Sequence, residues 1–169
     1  IVQAVYAGLI NKNIVAKLVA AGKPALGLSG VDGDMIRAQK RPVQNGIDYG
    51  YVGDVQKINS DLLNRLVESG YISVIAPLSH DGKGQILNTN ADTIAAELAA
   101  NLAESLAATC EVELILAFEQ QGVLRDDVGV RSVIGQLMES EYHRMRDHGQ
   151  ISGGMIPKLD SGFKALNKG

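Results

Sequence analysis

The sequence predicts an α/β fold, a three-layer αβα sandwich on a mostly parallel central sheet. Short apolar runs bounded by turn residues alternate along the chain with longer segments of helical period. One of those runs, Tyr71-Ile72-Ser73-Val74-Ile75-Ala76, is apolar nearly throughout rather than at every second residue, as in a strand covered on both faces. The chain has 169 residues, 46% of them hydrophobic and none of them tryptophan. It is long enough for a sizeable core, packed on Ala, Leu, Ile and Val.

The elements follow in order. Residues 1–21 read as a helix with Val2, Val5 and Leu9 on one face and Ile14, Val15, Leu18 and Val19 continuing the stripe. Gly22 stops it. Residues 24–28 read as a buried strand before the turn Ser29-Gly30-Val31-Asp32-Gly33. Residues 35–40 and 49–57 read as two strands joined by a loop holding Pro42, Asn45 and Gly46. Gly50 and Gly53 signal a bulge or a close backbone approach in the second. Asn59-Ser60-Asp61 opens a helix that buries Leu62, Leu63, Leu66 and Val67 and ends at Gly70. After the 71–76 strand, Asp81-Gly82-Lys83-Gly84 makes a hairpin turn and Ile86-Leu87 a return strand. Asn90 starts an alanine-rich helix to about residue 108, with Ile94, Leu98 and Leu102 inward. Residues 112–118 read as a buried strand, 120–129 as loop, 140–148 as a helix ended by Gly149, and 157–168 as the last helix.

The composition excludes several classes. A net charge of −3 and a pI near 5.6 speak against a nucleic-acid binder. No apolar run reaches the roughly 20 residues of a membrane span, and no signal peptide is visible. Cys110 is the single cysteine, so no internal disulfide is possible, and a reducing, cytoplasmic setting is expected. His80, His143 and His148 lack metal-ligand spacing. The chain opens inside a helical pattern without Met and closes on Gly169, which reads as a piece of a longer protein.

Two places could carry chemistry. Lys158 follows Pro157, a residue suited to the first position of a helix. It therefore sits where the helix dipole is positive and a cation is unfavourable by a few tenths to about 1 kcal/mol. Gly153 and Gly154 before it permit close backbone approach to a ligand, and helix amides plus a lysine make a phosphate site. A lysine bent into solvent is the plainer alternative. Asp92 falls in the first turn of its helix behind Asn88 and Asn90. An ordinary cap, with Asn90 capping and Asp92 facing the dipole, explains that cluster without function. Yet Asn88 ends a short strand, where open α/β folds bind ligands. The glycine-rich stretches 27–33 and 50–53 have neither P-loop nor dinucleotide spacing.

Taken in order, Gly8-Leu9-Ile10-Asn11-Lys12, Gly27-Leu28-Ser29-Gly30 with Asp32-Gly33, Tyr49-Gly50-Tyr51-Val52-Gly53-Asp54-Val55, Asn88-Thr89-Asn90-Ala91-Asp92-Thr93, Gly122-Val123-Leu124 and Gly153-Gly154-Met155-Ile156-Pro157-Lys158 resemble the amino-acid kinase family. The resemblance is nearest to the branch acting on N-acetyl-L-glutamate. It implies MgATP-dependent phosphorylation of that substrate's side-chain carboxylate, the second step of arginine biosynthesis, with Mg2+ held mainly through the phosphates. A carboxylate with a pKa near 4.3 is already ionised at neutral pH, so no general base is needed. Lys158 resembles the transition-state lysine on the nucleotide side, and Asp92 the aspartate that orients the active-site lysines. Asn88, with Asn90 beside it, resembles the substrate-binding asparagine. Glu119, Gly122, Val123 and Leu124, then Gln150, Ile151, Ser152 and Met155, resemble the ATP-binding segments. Phe118-Glu119 stands where the family commonly has Thr/Ser-Asp.

The resemblance makes residues 1–110 the acylamino-acid part and 111–169 the nucleotide part of one continuous sheet. It also implies a homodimer paired through the first helix. The family's glycine-rich loop with a second lysine, and its C-terminal strands, fall outside these residues, so the chain alone is expected to be inactive and poorly stable. Alternatives are a succinyl substrate, a sister kinase for free glutamate or aspartate, or a non-catalytic amino-acid sensor of the same fold.

Overall fold

Residues 1–127, 130–151 and 153–168 are described by a computed structural model of the chain. The first helix forms as predicted, in two windings. A π-helical stretch over Ala4–Ile10 runs into α1, Asn11–Ala20. The apolar stripe is covered only in part. Val5, Val15 and Leu18 are partly buried, Val2, Leu9, Ile14 and Val19 are exposed, and Asn11 is buried. The Asn11 amide donates to the main-chain carbonyls of Leu28 at 3.3 Å and Val74 at 2.7 Å. Lys12 Nζ donates to the Gly27 carbonyl at 2.9 Å. The helix is thus held to its strands by polar groups, and a Cβ on Gly27 would collide with both side chains.

Those strands are β1, Ala25–Ser29, and β4, Ile72–Ala76, paired in parallel with Ala25 opposite Ile72. A second sheet contains β2 (Ile36–Lys40), β3 (Gly53–Ile58), β5 (Leu78–His80) and β6 (Ile86–Asn88), in the order β3-β2-β5-β6. Here β2 and β5 are parallel, while the two hairpins β2–β3 and β5–β6 are antiparallel. The parallel pairing expected of the class is present, and the hairpins make the whole mixed. Among the described residues the strands form separate sheets rather than one continuous sheet, the last being the antiparallel pair β7 (Leu124–Asp127) and β8 (Val130–Val133).

The helices α2 (Ser60–Glu68) and α3 (Ala91–Leu106) close the main core. Met35, Ile36, Ile58, Leu63 and Ile94 are buried there, with Leu28, Ile75 and Leu98 packed around them. Asn59 caps α2 by accepting from the Leu62 N–H at 3.2 Å, as its helix-start cluster predicts. A separate cluster of Tyr142, Met145 and Ile151 joins α4 (Glu139–Asp147) to α5 (Met155–Leu166).

Gly50 and Gly53 separate into two roles. Gly50 has φ 67° in an open turn before β3, a conformation that favours glycine. Gly53 is a close approach: an added Cβ would lie within 3.0 Å of Ser79, Leu87 and Ala38. Residues 112–118 differ from expectation. Their burial alternates, as in a strand, but no strand is formed there. The predicted 120–129 loop contains β7, whose Leu-Arg-Asp-Asp sequence has no period-two apolar signal.

Candidate functional site

Strand β6 delivers Asn88, whose N–H donates to the Tyr51 carbonyl at 2.8 Å. Thr89, next in the chain, is buried; its hydroxyl bonds Ser79 Oγ at 2.7 Å and donates to the Gly53 carbonyl at 3.2 Å. Thr89 therefore fixes the backbone between two exposed asparagines, a role that its sequence position did not reveal. Asn90 is extended, at φ −60° and ψ 130°, and caps α3 by accepting from the Thr93 N–H at 3.0 Å. The cap directs the chain so that Asp92 sits in the first turn, at the positive end of the helix dipole.

Helix α5 begins at Met155, two residues earlier than predicted, so Pro157 is its third residue. The missing proline N–H costs no helical bond there, because the first four N–H groups have no acceptor within the helix. Gly153 has φ 59°, which favours glycine, and Gly154 occupies the cap position with no side chain to satisfy the first-turn amides. Lys158 Nζ reaches Asp92, 2.8 Å from Oδ1 and 3.0 Å from Oδ2, with the two side chains 24% and 19% exposed. The Phe118 ring centre lies 5.9 Å from the same ammonium. Of the two readings of Lys158, the solvent-bent one is excluded: it is an ion-paired residue that α3 and α5 bring together from 66 positions apart.

The helices lie side by side in the same direction. Asp92 meets Lys158 near both N-termini, and further along Glu97 accepts from Lys164 and Lys168, each at 2.8 Å. The seam between them is Ala96, Ala100 and Ala165. Glu97 is almost fully buried. Burial pushes its carboxyl toward the neutral form, but the bonds from Lys164 and Lys168 outweigh burial and hold it below the ordinary glutamate value. An acid on the inward stripe beside Ile94 and Leu98 was the available sign of this contact. Two helix N-termini, open backbone amides and one lysine form an arrangement suited to binding an anion and stabilising charge on a transferring group.

The remaining predicted nucleotide residues lie around this end of α5 or behind it. Glu119 follows Phe118 and is exposed. A Cβ on Gly122 would press on Val133, and Leu124 opens β7 opposite that residue. Val123, Ile151 and Met155 contribute side chains to the Tyr142 cluster. Gln150 is exposed after α4, and Ser152 lies outside the described residues. A cavity of about 350 Å³ between α3, α5 and residues 112–116 is lined by Ala99, Ala103, Leu114, Leu116 and Phe163, with Lys158 in its wall. Among the described residues no three His, Cys, Asp or Glu side chains are grouped to hold a metal, and no helix is long and apolar enough to cross a membrane.

A family model described as the amino acid kinase family matches residues 1–169. The chain is similar to an acetylglutamate kinase of Bacteroides fragilis, 52% identical over 169 residues that make up 100% of this chain and 63% of that protein. It is 50% identical to an acetylglutamate kinase of Bacteroides thetaiotaomicron, covering 100% of this chain and 64% of that protein. For an acetylglutamate kinase of Methanopyrus kandleri the identity is 38%, covering 100% and 67%. Among solved structures, smu.665 from Streptococcus mutans UA159 superposes with a TM-score of 0.78 at 30% identity, over 99% of this chain and 62% of that one. An N-acetylglutamate synthase from Neisseria gonorrhoeae, complexed with coenzyme A and N-acetyl-glutamate, has a TM-score of 0.80 at 22% identity, over 99% and 35%, a likeness of fold alone. The chain thus spans about 63% of the length of the Bacteroides fragilis relative. With its whole length matched by the family model, and with an α/β architecture, the chain belongs to the amino acid kinase family.

Proposed function

We propose that this chain is the larger part of an enzyme that transfers a phosphoryl group from ATP to the side-chain carboxylate of N-acetyl-L-glutamate, in arginine biosynthesis. The observation that carries the proposal is the Asp92–Lys158 pair at the shared end of two parallel helices. The acetylglutamate kinases similar to the chain over its whole length support the choice of substrate.

The donor set fits a nucleotide triphosphate. Lys158 offers a positive charge, and the first turns of α3 and α5 offer backbone amides. MgATP would supply the phosphoryl group, its metal carried mainly by the phosphates. Asp92 holds the Lys158 ammonium in one place, so that it meets developing negative charge without having to reorganise. Asn88 and Asn90 would bind the acylamino acid beside it. Residues 1–110 would serve the amino-acid end of the site and 111–169 the nucleotide end, through Glu119, Gly122, Val123, Leu124, Gln150, Ile151, Ser152 and Met155. The nucleophile is an ionised carboxylate, which agrees with a site built from a lysine and amides rather than a histidine.

We further infer a homodimer joined through the first helix. Its exposed Tyr6, Leu9, Ile10 and Ile14 supply apolar surface for that contact. The exposed Cys110 suits a reducing, cytoplasmic compartment.

The test is steady-state kinetics of the full-length protein with ATP and a panel of N-acetylglutamate, N-succinylglutamate, glutamate and aspartate. Lys158→Ala should lower kcat by a factor on the order of 10² to 10³ while leaving binding of the acylamino acid little changed. Faster turnover of free glutamate or aspartate would refute the substrate assignment. An unaltered rate in the variant would take Lys158 out of the catalytic step, and no turnover with any substrate of the panel would favour a sensor over a kinase.

A further inference from the structure

We infer that Glu97 is a positioning residue for Lys158, setting the roll and slide of α5 on α3 through its two lysine partners. The inference rests on the phosphoryl-transfer reading above. The seam that joins the two helices is nearly featureless: Ala96 and Ala100 on α3 meet Ala165 on α5. Methyl groups present shallow ridges, so interdigitation alone gives weak control over how far one helix slides or rolls against the other. Charged groups flank this seam on both sides. At about 100° per residue, Asp92 and Glu97 project about 140° apart on α3, with Ala96 and Ala100 between them. On α5, Ala165 falls between Lys158 and Lys164 by the same count, and Lys168 follows in the turn just after the helix. Asp92–Lys158 therefore holds one flank and Glu97–Lys164/Lys168 the other.

Glu97 is built for this. Its side chain is 11% exposed, and each oxygen takes a different lysine at 2.8 Å. A buried carboxylate is costly unless paired, so the contact tolerates little displacement. Without Glu97, the face of α5 toward α3 would be tied at one flank only, with α4 holding the opposite side through Tyr142. The Lys158 ammonium would still be bound to Asp92 but would no longer be aimed.

The experiment compares Glu97→Gln, Glu97→Ala and the double variant Lys164→Met/Lys168→Met in the full-length protein, each alone and with Lys158→Ala, with thermal unfolding followed in parallel. Displacing a catalytic group by about an ångström costs on the order of 100-fold, so the clamp variants are expected to lose roughly 10- to 100-fold in kcat, with KM for both substrates within about threefold of wild type. Glu97→Gln, which keeps one accepting oxygen, should lose less than Glu97→Ala. In the Lys158→Ala background the same changes should have no further effect on kcat, because they act through the missing ammonium. If Glu97→Ala does not fold, Glu97→Gln and the lysine pair give the same readout. Wild-type kcat in the folded clamp variants, with Lys158→Ala slowed as expected, would overturn the clamp alone. Equal fractional losses in both backgrounds would also overturn it, since they indicate a general loss of active protein. A wild-type rate for Lys158→Ala would take Lys158 out of the catalytic step and overturn the clamp, whereas no turnover of any panel substrate by the wild type would overturn the phosphoryl-transfer reading and the clamp with it.

Discussion

Tyr142 offers the sharpest test of how α5 is held from its other side. Its ring is fully buried and stacks on Phe163, with centroids 5.4 Å apart at 19°. Its hydroxyl donates to Asp160 Oδ1 at 2.6 Å and to the Ile156 carbonyl at 3.3 Å, both on α5. Tyr142→Phe removes only the hydroxyl. The Asp160 side chain is 48% exposed and can be hydrated in its place, so the loss should be near the neutral-bond figure of about 1 kcal/mol rather than the higher one for buried charged partners. Tyr142→Ala removes the ring as well, and large-to-small changes at buried aromatic sites cost about 3–5 kcal/mol. At roughly 2–4 °C per kcal/mol for a protein of this size, the expected fall in Tm is about 3 °C for the first variant and about 10 °C or more for the second. Differential scanning calorimetry of the full-length protein with each substitution would measure both. Equal losses for the two variants, or a loss below about 1 kcal/mol for Tyr142→Ala, would refute the packing argument. The hydroxyl also has a pH signature. Burial, and then the bond to Asp160, raise the phenol above its ordinary value. The folded state therefore binds this proton more tightly, so stability is complete below the unfolded value of about 10 and falls as pH rises beyond it. Tyr142→Phe should remove that part of the alkaline loss.

Two further expectations concern stability. Glu97 is held below its ordinary value, so its contribution is present above the unfolded pKa near 4.3 and is lost as pH falls through the lower folded value. Acid titration of Tm should show that loss in the wild type and a shallower slope in Glu97→Gln. Gly53→Ala should destabilise by about 1–3 kcal/mol, because the new methyl meets close neighbours on three sides, whereas Gly50→Ala should cost about 1 kcal/mol through its positive φ alone. Denaturant midpoints of the two variants check the order.

What the sequence disclosed depended on whether a residue's role was local. Asn90 and Asp92 announced a helix start because a cap is decided within four residues, and the structure has that cap. The doubt over Gly50 and Gly53 was legible, but only the fold divides them into a turn and a close approach. The stripe of the first helix was read in part, with Val5, Val15 and Leu18 partly covered, since apolar periodicity reports which residues align and not what they meet; Asn11, a polar residue, bonds the strands. The partners of Glu97 lie 67 and 71 residues away, beyond any local pattern. The Phe118 departure was visible in the sequence, while its ring beside Lys158 was not.

The stretch 112–118 has a consequence for the behaviour of the molecule in solution. Its burial alternates residue by residue, as in a strand with one side partly covered, and among the described residues no ladder is formed along it. An extended segment with open edges is a template for another extended segment, whether a correct partner or a wrong one. Its outward residues in the run from 111 include Glu111, Glu113 and Ile115. The two glutamates repel a second copy laid alongside in register, and they precede the exposed Ile115, at 75%. Charge next to Ile115 thus opposes self-association along this run, and high salt, which screens that repulsion, weakens the protection.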